Sequence, residues 1–466
     1  MASPEKSPST SLQLPTTNTN TNPPSSSQEE NGSLHGRFRP RVRAGGESGR
    51  RGFHPLQFVR ISLKSSSWVS RAVNVLWPVV PAAIAVRYAT DSHLATFVLA
   101  YLAMIPCANL LGFAGQELAR KVPHVMGVLT ETTLGSLVEI ILFVVLITRE
   151  STEGGVDYIQ VIKAAILGSV LATMLLCLGM CFVVGGLKRH ESTFSEAVSE
   201  AGSGLLLTAG FGLAIPTVFK HSLGDRITDE LELQNKVIPI SRSTAVLLMV
   251  AYLIFVYFQS HTHHGIYDAI FVEEEERDDD RHRDLMKRRL TLTEVVVALA
   301  LSIGLVALIA VILVEQIHFL VTERHVPDAF VGLILVPLVE KAAEHLTAVD
   351  EAWDNQMNFA LSHVLGATLQ TALFNGPLVV IVGWGLDRPM GLDFEVFDLA
   401  VLLLAILTVG NFLRDQKSNY LEGALLVIVY VAIAVAALYY PDPPHVGAAG
   451  ASDAGAAGGG TAGAAH

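Results

Sequence analysis

The run from Val295 to Leu313, VVVALALSIGLVALIAVIL, contains no charged residue. A helix of roughly twenty such residues is long enough to cross the hydrocarbon core of a bilayer. Within that core no water satisfies the backbone, so a spanning chain must be helical or form a closed barrel. Similar apolar stretches fall near 69–89, 93–113, 124–148, 158–186, 199–219, 241–259, 291–315, 327–349, 359–386, 394–412 and 420–440. The sequence therefore reads as an all-α membrane protein with about eleven transmembrane helices. Composition agrees, since 51% of the residues are hydrophobic and only 16% are charged, against roughly 25% charged in an ordinary soluble domain.

The segments between the spans set the organisation. Residues 1–65 are rich in Ser, Thr, Asn and Pro and are expected to stay unfolded. Their end carries six arginines between Arg37 and Arg51. Beside a first membrane helix (66–92), this cluster argues for a cytosolic N-terminus. Contact with anionic lipid is a second use for the same charge. Cytosolic loops would then carry Arg120 and Lys121, Lys188 and Arg189, the 260–290 linker, and Arg414 and Lys417. The tail 441–466, rich in Gly and Ala, has no Lys or Arg and would lie on the far side. The loop at 220–242 fits less well, with Lys220, Arg226, Lys236 and Arg242. Basic residues are few and scattered, which excludes a nucleic-acid partner. No nucleotide-binding motif is present.

The 260–290 linker has eight acidic residues from Glu273 to Asp284 and six basic ones up to Arg289. Such a run reads as a solvated charged linker or helix, or as a cation-attracting or regulatory element at the cytosolic mouth. His261, His263 and His264 lie nearby, but without carboxylates at metal spacing they make a weak transition-metal site. A membrane-embedded metalloenzyme is correspondingly a poor reading. Cys107, Cys177 and Cys181 sit in apolar segments and read as packing residues.

Charge within the spans is the informative exception, because it costs roughly 2.5–3.5 kcal/mol per residue at the bilayer centre. VPLVEKAAEHLTAV, residues 336–349, carries Glu340, Lys341, Glu344 and His345. The third span, TETTLGSLVEIILFV, carries Glu131 and Glu139. Placing Glu139 on Glu344 sets Gly135 on Glu340 and Ser136 on Lys341. The spans that follow also match. Leu167-Gly168-Ser169 precedes Thr173, and Leu365-Gly366-Ala367 precedes Gln370. Five spans separate the copies, so they cross in opposite directions. The expected architecture is one extra N-terminal helix plus two inverted five-helix repeats, 93–259 and 291–440. Such repeats place a binding site near the membrane midplane.

Glu139 and Glu344 are the symmetric carboxylate pair. Hard divalent cations take six to eight oxygen ligands, and two carboxylates neutralise one such ion. A desolvated, closely spaced pair also favours retaining a proton when the cation is absent. One pair of residues can thereby exchange a cation for protons, with no cofactor.

The stretches GLILVPLVEKAAEHLTAV, LGATLQTALFNGPLVVIVGW and GSVLATMLLCLGMCFVVGG resemble the CAX family of vacuolar cation/proton exchangers, within the calcium/cation antiporter superfamily. The resemblance runs from about residue 70 to 440. It implies Ca²⁺ or a related cation exchanged for H⁺ at a vacuolar membrane, with Glu139 and Glu344 as cation ligands. Its departures are local. Where the family's first repeat has two asparagines, this chain has Glu131 and Ser136. Where the second has Gly-Asn, it has Glu340 and Lys341. Ala172 and Thr173 replace a Ser-Asn pair, Ala367 and Thr368 replace two serines, and Gln370 is retained. The expected cation- and proton-binding set is thus Glu139, Glu344, Ser136, Glu131, Glu340, His345, Gln370, Thr173 and Ser169, with Lys341 modulating it. Lys341 lies three residues before Glu344, on the same helix face. At 4 Å a unit pair is worth about 4 kcal/mol at an effective dielectric of 20. The Lys341 ammonium is therefore expected either to compete with the cation or to pair permanently with Glu340 or Glu131. In the latter case the chain would be a silent or selectivity-altered relative acting as a membrane regulator or scaffold.

Overall fold

The computed structural model describes residues 52–64, 67–149, 156–224, 226–227, 229–279, 281–282 and 287–440. These belong to the compact unit Val42–His466. The arginine cluster at 37–51 and the tail 441–466 lie outside the described residues.

Among the described residues, nine helices are long and apolar enough to cross a membrane, from Val69–Ala89 to Tyr420–Leu438. The tally of about eleven differs for two physical reasons. Val396–Phe412 is a shorter apolar helix. The eighth segment is interrupted and charged, with Val336–Glu340 and Ala342–Trp353 separated at Lys341. Several helices also run past their apolar stretch, as in Tyr158–Arg189 and Leu231–Thr262. Capping fixes some starts. Thr291 and Glu294 form a reciprocal capping box at the head of Leu292–Glu315. Asp157 and Asn419 accept from backbone N–H groups at the heads of Tyr158–Leu171 and Tyr420–Leu438.

The N-terminal tail is not wholly irregular, contrary to expectation. Pro55–Lys64 is a helix that buries Phe58 and Ile61. They pack with Leu110, Phe113, Ala114, Leu290 and Val295. The composition of the preceding fifty residues masked this short apolar periodicity.

The loops sort into two sets. In one, the strands Glu191–Thr193 and Lys417–Asn419 pair antiparallel. Asp279 of the linker meets Lys188 at 2.8 Å and Arg189 at 2.5 Å, and Lys188 also donates to the Trp353 carbonyl. Arg289 reaches Glu117. In the other set, Glu315 pairs with Arg87 and Arg149, and Asp393 with Lys163 and Lys220. A pairing of loops demands a shared face, so successive spans alternate in direction through the chain.

Two features recur in the two halves. Each half has a helix broken just before its carboxylate. The helix ending at Gly135 gives way at Ser136 to Leu137–Ile147, and the one ending at Glu340 gives way at Lys341 to Ala342–Trp353. Each half then has a π-helical turn in the next span, at Ala172–Cys177 and Thr371–Asn375. Such turns occur frequently at functional sites. The fourth and eighth spans cross backbone to backbone. A Cβ on Gly332 would lie 2.6 Å from the Ala164 Cβ and 2.7 Å from the Val161 carbonyl oxygen, and one on Gly168 would collide with the Leu333 carbonyl.

Candidate cation site

The helix breaks put Glu139 and Glu344 in the first turns of their second half-helices. Backbone N–H groups are unsatisfied there, and the helix dipole favours negative charge. The Lys341 ammonium lies between the two carboxylates. Its Nζ donates to Glu139 Oε2 at 2.9 Å and lies 3.2 Å from Glu344 Oε2. Lys341 and Glu139 are each only 1% exposed. Of the two outcomes weighed for Lys341, permanent pairing with Glu340 or Glu131 is not what the structure has. Glu340 turns instead to the Ser169 hydroxyl, and Glu131 to His363.

The surroundings supply neutral donors. Glu139 Oε2 also accepts from Thr371 Oγ1 at 2.9 Å and Asn375 Nδ2 at 2.7 Å. Gln370 Nε2 donates to Ser136 Oγ at 2.7 Å. His345 Nε2 stands 3.5 Å from Thr173 Oγ1. A Cβ on Gly135 would approach Glu344 Oε1 to 2.6 Å, so only glycine leaves room for that carboxylate. Apart from Glu131, the expected site residues are therefore brought into this region. Glu131 stands apart, at its outer edge.

Oxygen atoms left over define what the site can take. Glu139 Oε1, Glu340 Oε2, Glu344 Oε1, Gln370 Oε1 and Asn375 Oδ1 are buried and have no hydrogen-bond donor. Folded proteins rarely leave buried acceptors unpaired. Acceptor oxygens gathered on three carboxylates and two neighbouring amides are the donor set of a hard cation.

A path leads outward. A small pocket of about 30 Å³ is lined by Glu344, His345, Thr173, Glu131 and His363, enough space for a water molecule. Beyond it lies a vestibule of about 330 Å³, lined by Glu131, His363, Glu351, Glu275, Asp278 and Arg281 among others. Glu131 and His363 line both and so form the partition between them. His363 Nδ1 lies 2.7 Å from Glu351 Oε2, and its Nε2 lies 3.5 Å from Glu131 Oε2. Sequence reasoning missed Thr371, Asn375, His363 and Glu351. A polar pair four residues apart in TALFN, and a histidine in an apolar helix, were the available signals.

The linker forms one wall of the vestibule as a helix, and its charge run is largely solvated as expected, with Glu273, Glu275, Glu276, Arg277, Asp279 and Arg281 exposed. His264–Arg277 is a helix with Tyr267, Phe271 and Glu274 buried. Phe271 stacks on Phe359 with ring centroids 4.9 Å apart. Glu274 accepts from both the backbone N and the side-chain Nδ2 of Asn358, each at 2.9 Å. Burial pushes the Glu274 carboxyl up, against the pull of those two donors. Asp279 is held below the usual carboxylate range, chiefly by the hydrogen bond from Lys188 and with Arg189 beside it. The histidines ahead of the helix pack on aromatic rings, His261 edge-on to Tyr257 and His263 stacked on Phe258. Among the described residues no group of His, Cys, Asp and Glu has metal-holding geometry. Cys107, Cys177 and Cys181 are buried free thiols.

A family model described as sodium/calcium exchanger protein matches residues 92–261 and 294–439. The chain belongs to the sodium/calcium exchanger family. The two matched blocks bracket the linker, and each contains one broken helix and one carboxylate of the pair. Within this exchanger family, the chain is 32% identical to the vacuolar calcium ion transporter of Schizosaccharomyces pombe, over 82% of its own length and 88% of that protein. It is 30% identical to vacuolar cation/proton exchanger 3 of Oryza sativa, over 83% of its own length and 91% of that protein. Among solved structures, native YfkE matches with a TM-score of 0.63 and 25% identity, over 80% of this chain and all of that one. The chain is thus a secondary transporter and not an enzyme.

Proposed function

We propose that this exchanger moves Ca²⁺, or a closely related cation, against protons across the membrane of an acidic compartment, a vacuolar membrane in the first instance. The relatives named as vacuolar calcium and cation/proton exchangers support the ion and the compartment. One observation carries the mechanism. Two buried carboxylates from oppositely placed broken helices converge on a single positive charge. Glu139 and Glu344 bind the cation in one state and accept protons in the other. Gln370, Asn375 and Ser136 supply or position neutral oxygens. The vestibule, with Glu131 and His363 at its inner wall, is the cytosolic approach. This orientation places the N-terminus in the cytosol and the C-terminus in the lumen, in line with the arginine cluster ahead of the first span.

Lys341 gives this site its individual character. Its ammonium occupies the position a cation would take between Glu139 and Glu344. An incoming ion must displace it from both carboxylates. A divalent ion gains twice the Coulomb attraction of a monovalent one at the same distance, so the tethered ammonium selects for divalent charge.

The test is proton-gradient-driven uptake of radioactive Ca²⁺ into vesicles containing the full chain. Wild type is expected to accumulate Ca²⁺ only with the gradient, and Glu344→Gln or Glu139→Gln to reduce uptake to that of empty vesicles. Undiminished uptake by both variants would refute the assigned roles.

A further inference from the structure

The largest cavity described here is separate from the cation site and adjoins the vestibule, with which it shares Arg289. It measures about 520 Å³ and is lined by Arg60, Lys64, Arg71, Lys287, Arg288 and Arg289, with Gln57, Ile61, Phe113 and Glu117 completing it. Six cationic side chains from three separate chain segments therefore face one space. They come from the helix Pro55–Lys64, the start of the first span, and the end of the linker. Among the described lining residues the one carboxylate is Glu117, engaged by the Leu290 backbone N–H at 2.8 Å and by Arg289 at 3.4 Å. The summed field of Arg60, Lys64, Arg71 and Arg288 around one space favours an anion there. The volume lies within the usual range for a small-molecule site.

The position of the cleft narrows the ligand. Phe113 lies near the end of the second span and Leu290 just ahead of the seventh, so the cleft sits at the level of a membrane surface. The Pro55–Lys64 helix alongside it leaves Leu56, Val59 and Leu63 exposed, 87%, 51% and 47% respectively. Exposed apolar residues beside basic ones are the pattern of a helix lying in the lipid interface. The cleft shares its face with Lys188, Arg189 and the linker, which is the vestibule face. Neither the cation site nor the partition makes use of any of its basic residues.

We propose that this cleft is a binding site for a multiply charged phosphate, carried on the headgroup of an anionic lipid or free in solution. Arginine is suited to it because its planar fork matches two phosphate oxygens at once. Arg289 and Lys287 connect the cleft to the linker that walls the vestibule, so an occupant would also tie the linker to the first span.

The experiment measures binding to the purified full chain in detergent. One probe is a short-chain phosphatidylinositol bisphosphate, and the other is its soluble headgroup, inositol trisphosphate. Wild type is expected to bind at least one of them saturably, with affinity falling steeply as salt rises. Tight binding of the lipid alone assigns the site to a headgroup held in the bilayer. Comparable binding of the soluble probe assigns it to free phosphate. The variant Arg60→Gln/Arg71→Gln/Arg288→Gln should bind about a hundredfold more weakly, since each basic residue near an anionic surface is worth a factor of about five. Its melting temperature without ligand establishes that it folds. Arg288→Lys, which keeps the charge and loses the fork, should bind more weakly than wild type and more tightly than the triple variant. Saturable binding of neither probe, or equal binding by wild type and the triple variant, would overturn the proposal.

Discussion

Lys341 carries its charge at a position only 1% exposed to solvent, where an unpaired ammonium would be costly to bury. It is tolerated because Glu139 and Glu344 stand at 2.9 and 3.2 Å from its ammonium. Removing one member of a buried ion pair costs about 3–5 kcal/mol, because the other charges stay buried. Lys341→Asn is therefore expected to melt well below wild type in chelator. Saturating Ca²⁺ should recover the difference, since an ion now neutralises the orphaned carboxylates. Thermal melting with and without Ca²⁺ checks this. A variant as stable as wild type in chelator would mean that the ammonium is not what balances the site. Lys341 also shows what sequence pattern can deliver. Its spacing from Glu344 placed both on one face, but the choice among Glu131, Glu139 and Glu340 as second partner required the fold. Glu139 is 202 positions away and arrives through the other half of the molecule.

At the scale of elements, the crossing of the fourth and eighth spans and the docking of the linker matter most. Gly168→Val would press a side chain into the Leu333 carbonyl. It should cost about 1–3 kcal/mol or prevent folding, visible as loss of monodisperse protein on size exclusion. The linker helix offers a gentler test. Glu274 presents two acceptor oxygens to two donors of Asn358, while Asn358 Oδ1 is committed to the Ser195 N–H at 2.6 Å. In Glu274→Gln one acceptor becomes a donor facing a donor, and Asn358 cannot flip without losing Ser195. The expected cost is about 1–3 kcal/mol, read as faster proteolysis of the linker. Unchanged proteolysis would show the docking to be unimportant. The charge run itself suggested solvent exposure. The buried positions Tyr267, Phe271 and Glu274 are separated by four and three residues, a helical stripe that the acidic residues conceal.

For the whole molecule, two faces are defined by which loops hold one another. Single cysteines replacing Glu191 and Asp387 should label from opposite sides of a sealed vesicle, and labelling from one side would contradict the alternation of spans. Asp393 gives a pH test on the far face. Burial alone would raise its carboxyl, but Lys163 and then Lys220 outweigh burial and hold it below the usual carboxylate range. A lowered carboxyl contributes stability that is present above its unfolded value, about 3.8, and lost as pH falls through the folded value. The clasp should therefore survive the pH of an acidic lumen. Asp393→Asn should melt lower than wild type by about 2 kcal/mol throughout pH 7 to 5, with the gap closing only below about 3.8.

By itself the sequence determined that the chain crosses a membrane as helices, that two similar segments carry the carboxylates Glu139 and Glu344, and that Lys341 lies on the same helix face as Glu344. These follow from local pattern, because apolar length and charge within it are properties of neighbouring residues. Tertiary structure alone decided which carboxylates hold Lys341, that Thr371 and Asn375 steady Glu139, and that His363 stands between Glu131 and Glu351. It also brought the basic residues at 60–71 and 287–289 into one cleft. Those pairings join positions far apart in the chain. They arise from helix breaks, π-helical turns and glycine crossings whose geometry no local spacing encodes.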